Sequence, residues 1–341
     1  MRRLFYICIV AMLLLTTSAC KSFRTLGSKK SAQGSPYELL VVCNNSEWES
    51  ELGKSLKELF ATPVEAINQV EPHFDVLRIT ANSFNNILPS HRNILKVLCS
   101  PEVKECGIFA RYDVESAPQI VLTFQGPSVE AMVEYLNKHG KHLLEVLEKA
   151  ERDRTVASAY KHGAKSLEDK IRQLFGITIH LPQGYLLRSA SDNFLWASHE
   201  YPVASQGFFL YTTPYAGKQS LTTQALVKSR NIAAQNIPGP VDGSFMTTVT
   251  KIPNIDGTHY VPFEPERREL MINGRRWIEL RGLWDVENYF MGGPFVSYTT
   301  YDEASGKLFT LDCYVYSPKD DKRNFLRSLE HLVYCVEISQ R

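Results

Sequence analysis

Glu269-Leu270-Met271-Ile272-Asn273-Gly274-Arg275-Arg276-Trp277-Ile278 decides the fold of the second half of this chain. An Asn-Gly pair between two apolar runs suits a two-residue hairpin, in which both central residues take positive φ. A loop of that length fixes an antiparallel register, with Leu270 facing Trp277 and Arg268 facing Glu279. Side chains alternate along a strand, so Ile278 and Leu280 are expected in the core, with Trp277 beside Arg268, Glu279 and Arg281 on a more polar face.

Downstream of this hairpin, strands are predicted over 295–301 and 308–316, the last with Phe309, Leu311, Cys313 and Val315 on one face. A final helix from Lys322 carries Phe325, Leu326, Leu329, Leu332, Val333 and Val336, enough to cover one side of a sheet. Upstream, short strands over 177–181, 185–189, 194–199, 207–215, 245–252 and 260–263 are separated by turn formers. Leu221, Ala225, Leu226 and Ile232 mark an amphipathic helix that must stop by Ile237-Pro238-Gly239-Pro240.

The first half reads as strand 37–43, a helix capped by Asn45 or Ser46 and carrying Trp48, Leu52, Leu56, Leu59 and Phe60, then strands 74–80, 93–99 and 119–124. A long helical pattern follows, from Val129, Met132, Val133 and Leu136 through Leu143, Leu144 and Leu147 to Leu167, Ile171, Leu174 and Phe175, with bends expected at Gly140 and Gly163. The expected class is therefore α+β, with two mainly antiparallel sheet-plus-helix units joined by a long helical connector. Residues 36–160 form the first unit with its connector, and residues 161–341 the second.

Residues 1–20 give the address. Arg2 and Arg3 precede an apolar run over 4–15 that is too short for a hydrocarbon core of about 30 Å but suits a cleaved secretory signal. Ser18-Ala19-Cys20 resembles a bacterial lipobox, in which the Cys20 thiol is acylated and begins the mature chain; an ordinary signal cleaved near Ala19 is the alternative. Residues 21–35, with Lys21, Arg24, Lys29 and Lys30, read as a tether reaching roughly 20 Å. Those cations can rest on anionic lipid or simply be solvated. Acyl chains on Cys20 would then be the membrane anchor.

Loss of Arg2 and Arg3 leaves the 38 basic and 37 acidic residues at a formal charge of about −1. That balance provides no electrostatic footprint for nucleic acid. Of the mature cysteines, Cys99 and Cys106 flank a short loop, so they read either as a cross-strand disulfide in an oxidising periplasm or as two small buried hydrophobes. Cys313 and Cys335 can meet between the last strand and helix, as a bridge or a reduced pair. His139, His142 and Glu145 recur every three residues, but with no cysteine cluster and no HExxH they read as a solvated helix face, and no metal or cofactor is expected.

Cys20 with its signal, Ile237-Pro238-Gly239-Pro240 after a helix, Arg281-Gly282-Leu283-Trp284, and Met291-Gly292-Gly293-Pro294-Phe295 before a Tyr-rich strand together resemble a family of uncharacterised lipoproteins of Bacteroides-type Gram-negative bacteria, grouped as a domain of unknown function. The resemblance covers nearly all of the mature chain and brings no activity, substrate or cofactor with it. In such lipoproteins an acidic run after the lipidated Cys accompanies surface export. Lys21-Ser22-Phe23-Arg24 stands there instead, implying the periplasmic side of the outer membrane.

Three functions are weighed. The first is a non-catalytic envelope protein that binds or scaffolds a partner through Trp277, Arg281, Trp284, Asp285, Glu287, Asn288, Tyr289, Gly292 and Gly293, since aromatics offer contact area and glycines close approach. The bland alternative is that these aromatics fill a core. The second is recognition of a glycan or cell-wall fragment, with Trp277, Trp284 and Tyr289 stacking on sugar faces. The third, a hydrolase, needs Asp285 and Glu287 as a carboxylate pair; on one strand face they would stand about 6–7 Å apart. No GxSxG, P-loop or metal motif supports catalysis, and Cys43 in a core strand has no identifiable His partner.

Overall fold

The computed structural model describes residues 29–84 and 88–338. The signal, Cys20 and the first part of the expected tether lie outside these residues. The class is α+β, with one large sheet in each half of the chain and three two-stranded pairs beside them among the described residues.

In the first unit, strands β1 (Glu38–Val42), β2 (Asp75–Ile79), β3 (Asn93–Cys99), β4 (Gly107–Tyr112) and β5 (Ile120–Gly126) lie in the order β2-β1-β3-β5-β4. Here the pairing differs from the antiparallel expectation, because β1–β2, β1–β3 and β3–β5 run parallel and β4–β5 alone is antiparallel. The physical reason lies in β1: Leu39 and Val41 enter one core while Leu40 and Val42 enter another. A strand apolar on both faces belongs in the middle of a sheet covered on both sides, the usual setting of parallel strands. Helix α1 (Glu51–Ala61) makes the crossover; the Ser50 side chain accepts the Leu52 N–H at its start, and Leu52, Leu56 and Phe60 pack on the sheet.

Helix α2 (Val129–Lys161) begins at Ser128, whose side chain accepts the Ala131 N–H. It is more than a connector. Met132, Leu136, Leu143, Leu147 and Ala150 belong to the first core, and Ala159 to the second. The helix runs unbroken through Gly140; a Cβ there would lie 3.2 Å from Leu59 Cδ1, so the missing side chain lets α1 and α2 approach. Helix α3 (Lys165–Phe175) follows and ends at Gly176 in the left-handed region, φ 67°. The tether is shorter than expected: Lys30–Ser31 pairs in parallel with Ser116–Ala117, and the Arg92 N–H donates to Gln33 O at 2.8 Å.

The second sheet holds β6 (Leu186–Ser191), β7 (Phe194–Glu200), β8 (Ser205–Pro214), β9 (Met246–Thr248), β10 (Glu266–Ile272), β11 (Arg275–Val286), β12 (Tyr289–Asp302) and β13 (Lys307–Tyr316). Its order is β9-β11-β12-β13-β8-β7-β6, with β10 sharing the outer edge of β11. The hairpin forms as read: Asn273 has φ 51° and Gly274 φ 74°, and Leu270 faces Trp277 while Arg268 faces Glu279. The parity argument fails in one respect, because it assumed one wet face. Helices α3 and α5 (Arg323–Glu330) cover one side and bury Trp277, while α4 (Thr223–Ala234) covers the other over Ile278 and Leu280.

The cysteines are all thiols among the described residues. Cys99 sits opposite Gly126 on β5, while the chain leaving Cys106 pairs along the other side of β5, so a bridge between them would have to span an intervening strand, and of the two readings the reduced pair holds. Cys313 and Cys335 are buried separately, their thiols directed to Leu329 O and His331 O.

A polar seam joins the units. The buried Glu71 accepts the backbone N–H groups of Lys322 and Arg323 at 2.8 and 2.7 Å, a carboxylate from one unit capping the first turn of α5 in the other. Arg323 reaches Asp75 at 2.6 Å, Tyr37 OH meets His331 Nε2 at 3.2 Å, and Arg327 bridges Glu148 and Glu330 at 2.9 and 3.0 Å.

Candidate functional site

The expected contact surface does not assemble as drawn. Trp277 is 2% exposed and Trp284 1%, each inside a core, and Arg281 is buried against Glu279 and Glu330 at 2.8 and 2.7 Å. Sugar stacking on those two indoles is thereby overturned. Val286 pairs with Tyr289, so Glu287 and Asn288 form the turn between β11 and β12, Asn288 with φ 61°. Asp285 and Glu287 therefore do not share a strand face, and both stand exposed at a hairpin tip rather than in a cleft. Partial desolvation and then the nearby Glu287 raise the Asp285 carboxyl, but these two acids do not form an enclosed pair for glycoside chemistry. The two glycines serve close approach within the sheet: a Cβ on Gly292 would lie 2.5 Å from Trp284 O, and one on Gly293 2.1 Å from Val315 O.

What remains outside is the tip itself. Tyr289 is 46% exposed and Phe290 104%, side chains that normally pack. Directly behind the tip, the segments that carry the resemblance converge from distant parts of the chain. Ile237, Pro238 and Gly239 after α4, Trp284 on β11 and Met291 on β12 line one cavity of about 340 Å³, completed by Trp196, Tyr314 and Tyr316. Gly239 is bare because Val286 Cγ1 would be 2.6 Å from any Cβ.

The walls are fixed by hydrogen bonds. Trp284 Nε1 donates to Val315 O at 3.2 Å, and Trp196 Nε1 donates to Tyr314 OH at 2.8 Å. The Trp284 and Tyr314 rings meet edge to face with centroids 5.6 Å apart. Gly207 opposite Tyr314 leaves space for that ring, since a Cβ would lie 2.4 Å from its hydroxyl. Burial pushes the Tyr314 phenol up, so it stays protonated at any working pH. At the rim Glu200 accepts from Ser198 Oγ at 2.6 Å and pairs with Arg188 at 3.2 Å, which cancels its charge. A neutral, aromatic-walled cavity selects apolar groups over ions.

A model of a domain of unknown function, DUF4837, matches residues 164–335, half of the chain. The chain belongs to the DUF4837 family. A second domain of unknown function, DUF8532, matches residues 32–160. No curated protein matches. Solved structures align only weakly: LpqN of Mycobacterium tuberculosis, involved in cell envelope biogenesis, at 13% identity and TM-score 0.26 over 46% of this chain and 79% of that one. The Saccharomyces cerevisiae Ran-binding protein Mog1p gives 10% and 0.29 over 48% and 92%. The human StarD13 lipid transfer and protein localization domain gives 12% and 0.23 over 50% and 90%. At TM-scores this low none of them informs fold or role.

The aromatic cavity and the bare tip both lie within the DUF4837 segment. Trp196, Tyr314 and Tyr316 were missed in the sequence reading, although Tyr314 and Tyr316 alternate with Cys313 and Val315 and so had to face the other side of β13. The remaining candidates stay apart. His139 and His142 lie on the outer part of α2, with His142 Nδ1 3.6 Å from the exposed Glu145. Among the described residues no group of three or more His, Cys, Asp or Glu is placed to hold a metal. Burial, and then Glu47, push the Cys43 thiol up to about 11, which suits a core residue and not a nucleophile. No described helix is long and apolar enough to cross a membrane.

Proposed function

We propose that this DUF4837 protein is a non-catalytic envelope lipoprotein, held by acyl chains on Cys20 at the periplasmic face of the outer membrane, that binds a partner protein through the tip of the β11–β12 hairpin and the cavity behind it. One observation carries the reading: Phe290, fully bare, directly precedes Met291, which lines a neutral aromatic cavity on which three distant segments converge. An exposed aromatic side chain next to a preformed apolar pocket suits a binding hot spot, and an apolar side chain of a partner is the occupant that a charge-cancelled rim admits. The lipid anchor rests on the signal and on Ser18-Ala19-Cys20.

A photo-crosslinking residue at 290, in intact cells, is expected to trap one discrete protein adduct that the same residue at exposed Phe109 does not trap. Phe290→Ala should weaken that complex by at least about 2 kcal/mol. A chain that stays monomeric and adduct-free under all conditions ends the partner reading. For the anchor, Cys20→Ser should release the protein from the membrane fraction; unchanged sedimentation with membranes would refute lipidation.

A further inference from the structure

The seam between the two units encloses another cavity of about 340 Å³, on the opposite side of β7 from the aromatic one: Trp196 and Glu200 line the first, His199 the second. Its first-unit wall carries Arg92 and Arg154, and no Asp or Glu lines it. Both guanidiniums lean on one carboxylate. Buried Glu151 takes Arg92 at 2.6 Å and Arg154 at 2.9 Å, and also accepts from Asn93 Nδ2 at 2.7 Å. Glu151 is the acid that pairs with both cations, and Asp113, which also acts on Arg154, does not line this cavity, so the face turned to the cavity is positive where low polarity makes charge costly. Arg92 Nε, moreover, is shielded and has no hydrogen-bond partner. Burial lowers the Arg154 pKa, Glu151 and Asp113 oppose this, and Arg92 adds to it.

The facing wall has a different chemistry. Gln206 Nε2 donates to Tyr185 OH at 3.0 Å and Tyr201 OH at 3.2 Å, while its Oε1 accepts from Ser328 Oγ at 3.1 Å. The His199 and Tyr201 rings stack with centroids 4.3 Å apart. Gly184, φ 103°, makes room for that stack, since a Cβ would lie 2.4 Å from His199 Cε1. The result is a preset row of hydroxyl and amide groups beside a flat ring pair, facing a cationic wall.

We propose that this cleft binds a small organic anion with a hydroxylated body, its carboxylate or phosphate set against Arg92 and Arg154 and its hydroxyls against Tyr201, Gln206 and Ser328. Two guanidiniums suit bidentate capture of either acid group. A volume near the low end of the roughly 300–1,000 Å³ of ligand sites suits a single sugar acid or sugar phosphate rather than a polymer. This site stands apart from the hairpin contact, and the probes below do not report on Phe290.

The test is calorimetric titration of the full chain with glucuronate, glucose 6-phosphate, inorganic phosphate and glucose. At least one of the two charged sugars is expected to bind with a dissociation constant of about 1 mM or tighter, and which of them does names the acid group. Glucose should not bind, and inorganic phosphate should bind more weakly. Arg92→Gln leaves Glu151 balanced by Arg154 alone, so the variant should fold, yet its affinity for the charged sugars should fall about ten- to hundredfold. Tyr201→Phe should weaken the charged sugars and leave inorganic phosphate unchanged. Absence of binding by both charged sugars, binding of glucose equal to theirs, or an unchanged affinity in folded Arg92→Gln would each overturn the proposal.

Discussion

Arg230→Met is expected to destabilise the second unit by about 3–5 kcal/mol, because it strands a charge that has no water to turn to. Arg230 and Asp312 are both fully buried, and the pair is bidentate, with Nε to Oδ2 at 2.9 Å and a second guanidinium nitrogen to Oδ1 at 3.2 Å. The remaining arm donates to Thr248 Oγ1 at 3.0 Å, and the guanidinium lies 3.7 Å above the Phe295 ring. One side chain thus ties α4 to the sheet. Methionine keeps the volume and the ring contact but leaves the carboxylate unpaired. Burial raises Asp312 to about 6 even with its partner in place, so the orphaned acid will rise further. A raised acid favours the folded state at low pH and loses that contribution as pH climbs through the folded value. The penalty of Arg230→Met should accordingly be greatest near pH 7 and shrink towards pH 5, where Asp312 takes up a proton. Pairing it with Asp312→Leu removes the orphan altogether, and Thr248 still has Asn231 at 2.6 Å, so the double variant should recover most of the loss. Urea unfolding of the three chains at both pH values checks this. A double variant as unstable as the single one would show that the pair itself, and not the stranded acid, carries the energy.

Local chemistry explains which parts of this fold could be read from residues alone. Asn273-Gly274 specifies its own turn and, through the turn, the register of two strands; no distant contact is needed. The same logic works for the start of α2 at Ser128 and for the stop after α4, but the cap expected at Asn45 or Ser46 stands instead at Ser50, because Asn45–Trp48 is a separate short turn of helix. It fails where the answer depends on what arrives from elsewhere. The direction of β1 relative to β3 is set by crossovers, not by either strand, and the cover on both sides of β11 comes from helices formed before and after it. Trp284, Gly292 and Gly293 stood out as a motif, but only the geometry shows that the glycines admit backbone and that the indole is one wall of a cavity. The cleft at the seam was invisible for the same reason: Arg92, Arg154, His199 and Ser328 come from four separate segments, and no spacing pattern links them.

The seam also governs the response to acid, and here Glu330→Gln is the decisive change. Burial alone would raise this carboxyl, but Arg281 at 2.7 Å and Arg327 at 3.0 Å hold it down at about 2. Against an ordinary glutamate near 4.3, such a depression corresponds to roughly 3 kcal/mol of stability. The sign follows from the proton count: the unfolded chain binds the proton first, so this contribution is complete above the ordinary value and disappears as pH falls towards 2. Glutamine keeps the shape and one acceptor but removes the charge. Each arginine retains a second acid, Glu279 for Arg281 and Glu148 for Arg327, so the variant should fold, less stable by about 3 kcal/mol at neutral pH. Its unfolding free energy should also vary less between about pH 4.5 and pH 2 than that of the parent, because the group responsible for that slope is gone. His331 beside it, lowered to about 3 by burial and held up by Glu330, brings its own loss of stability as pH falls from the ordinary histidine value towards 3, so both chains are compared in a His331→Gln background, where the difference isolates Glu330. Equal acid slopes in the two chains would mean that Glu330 is not held ionised by the arginines, and that the two units are joined at this seam by packing rather than by charge.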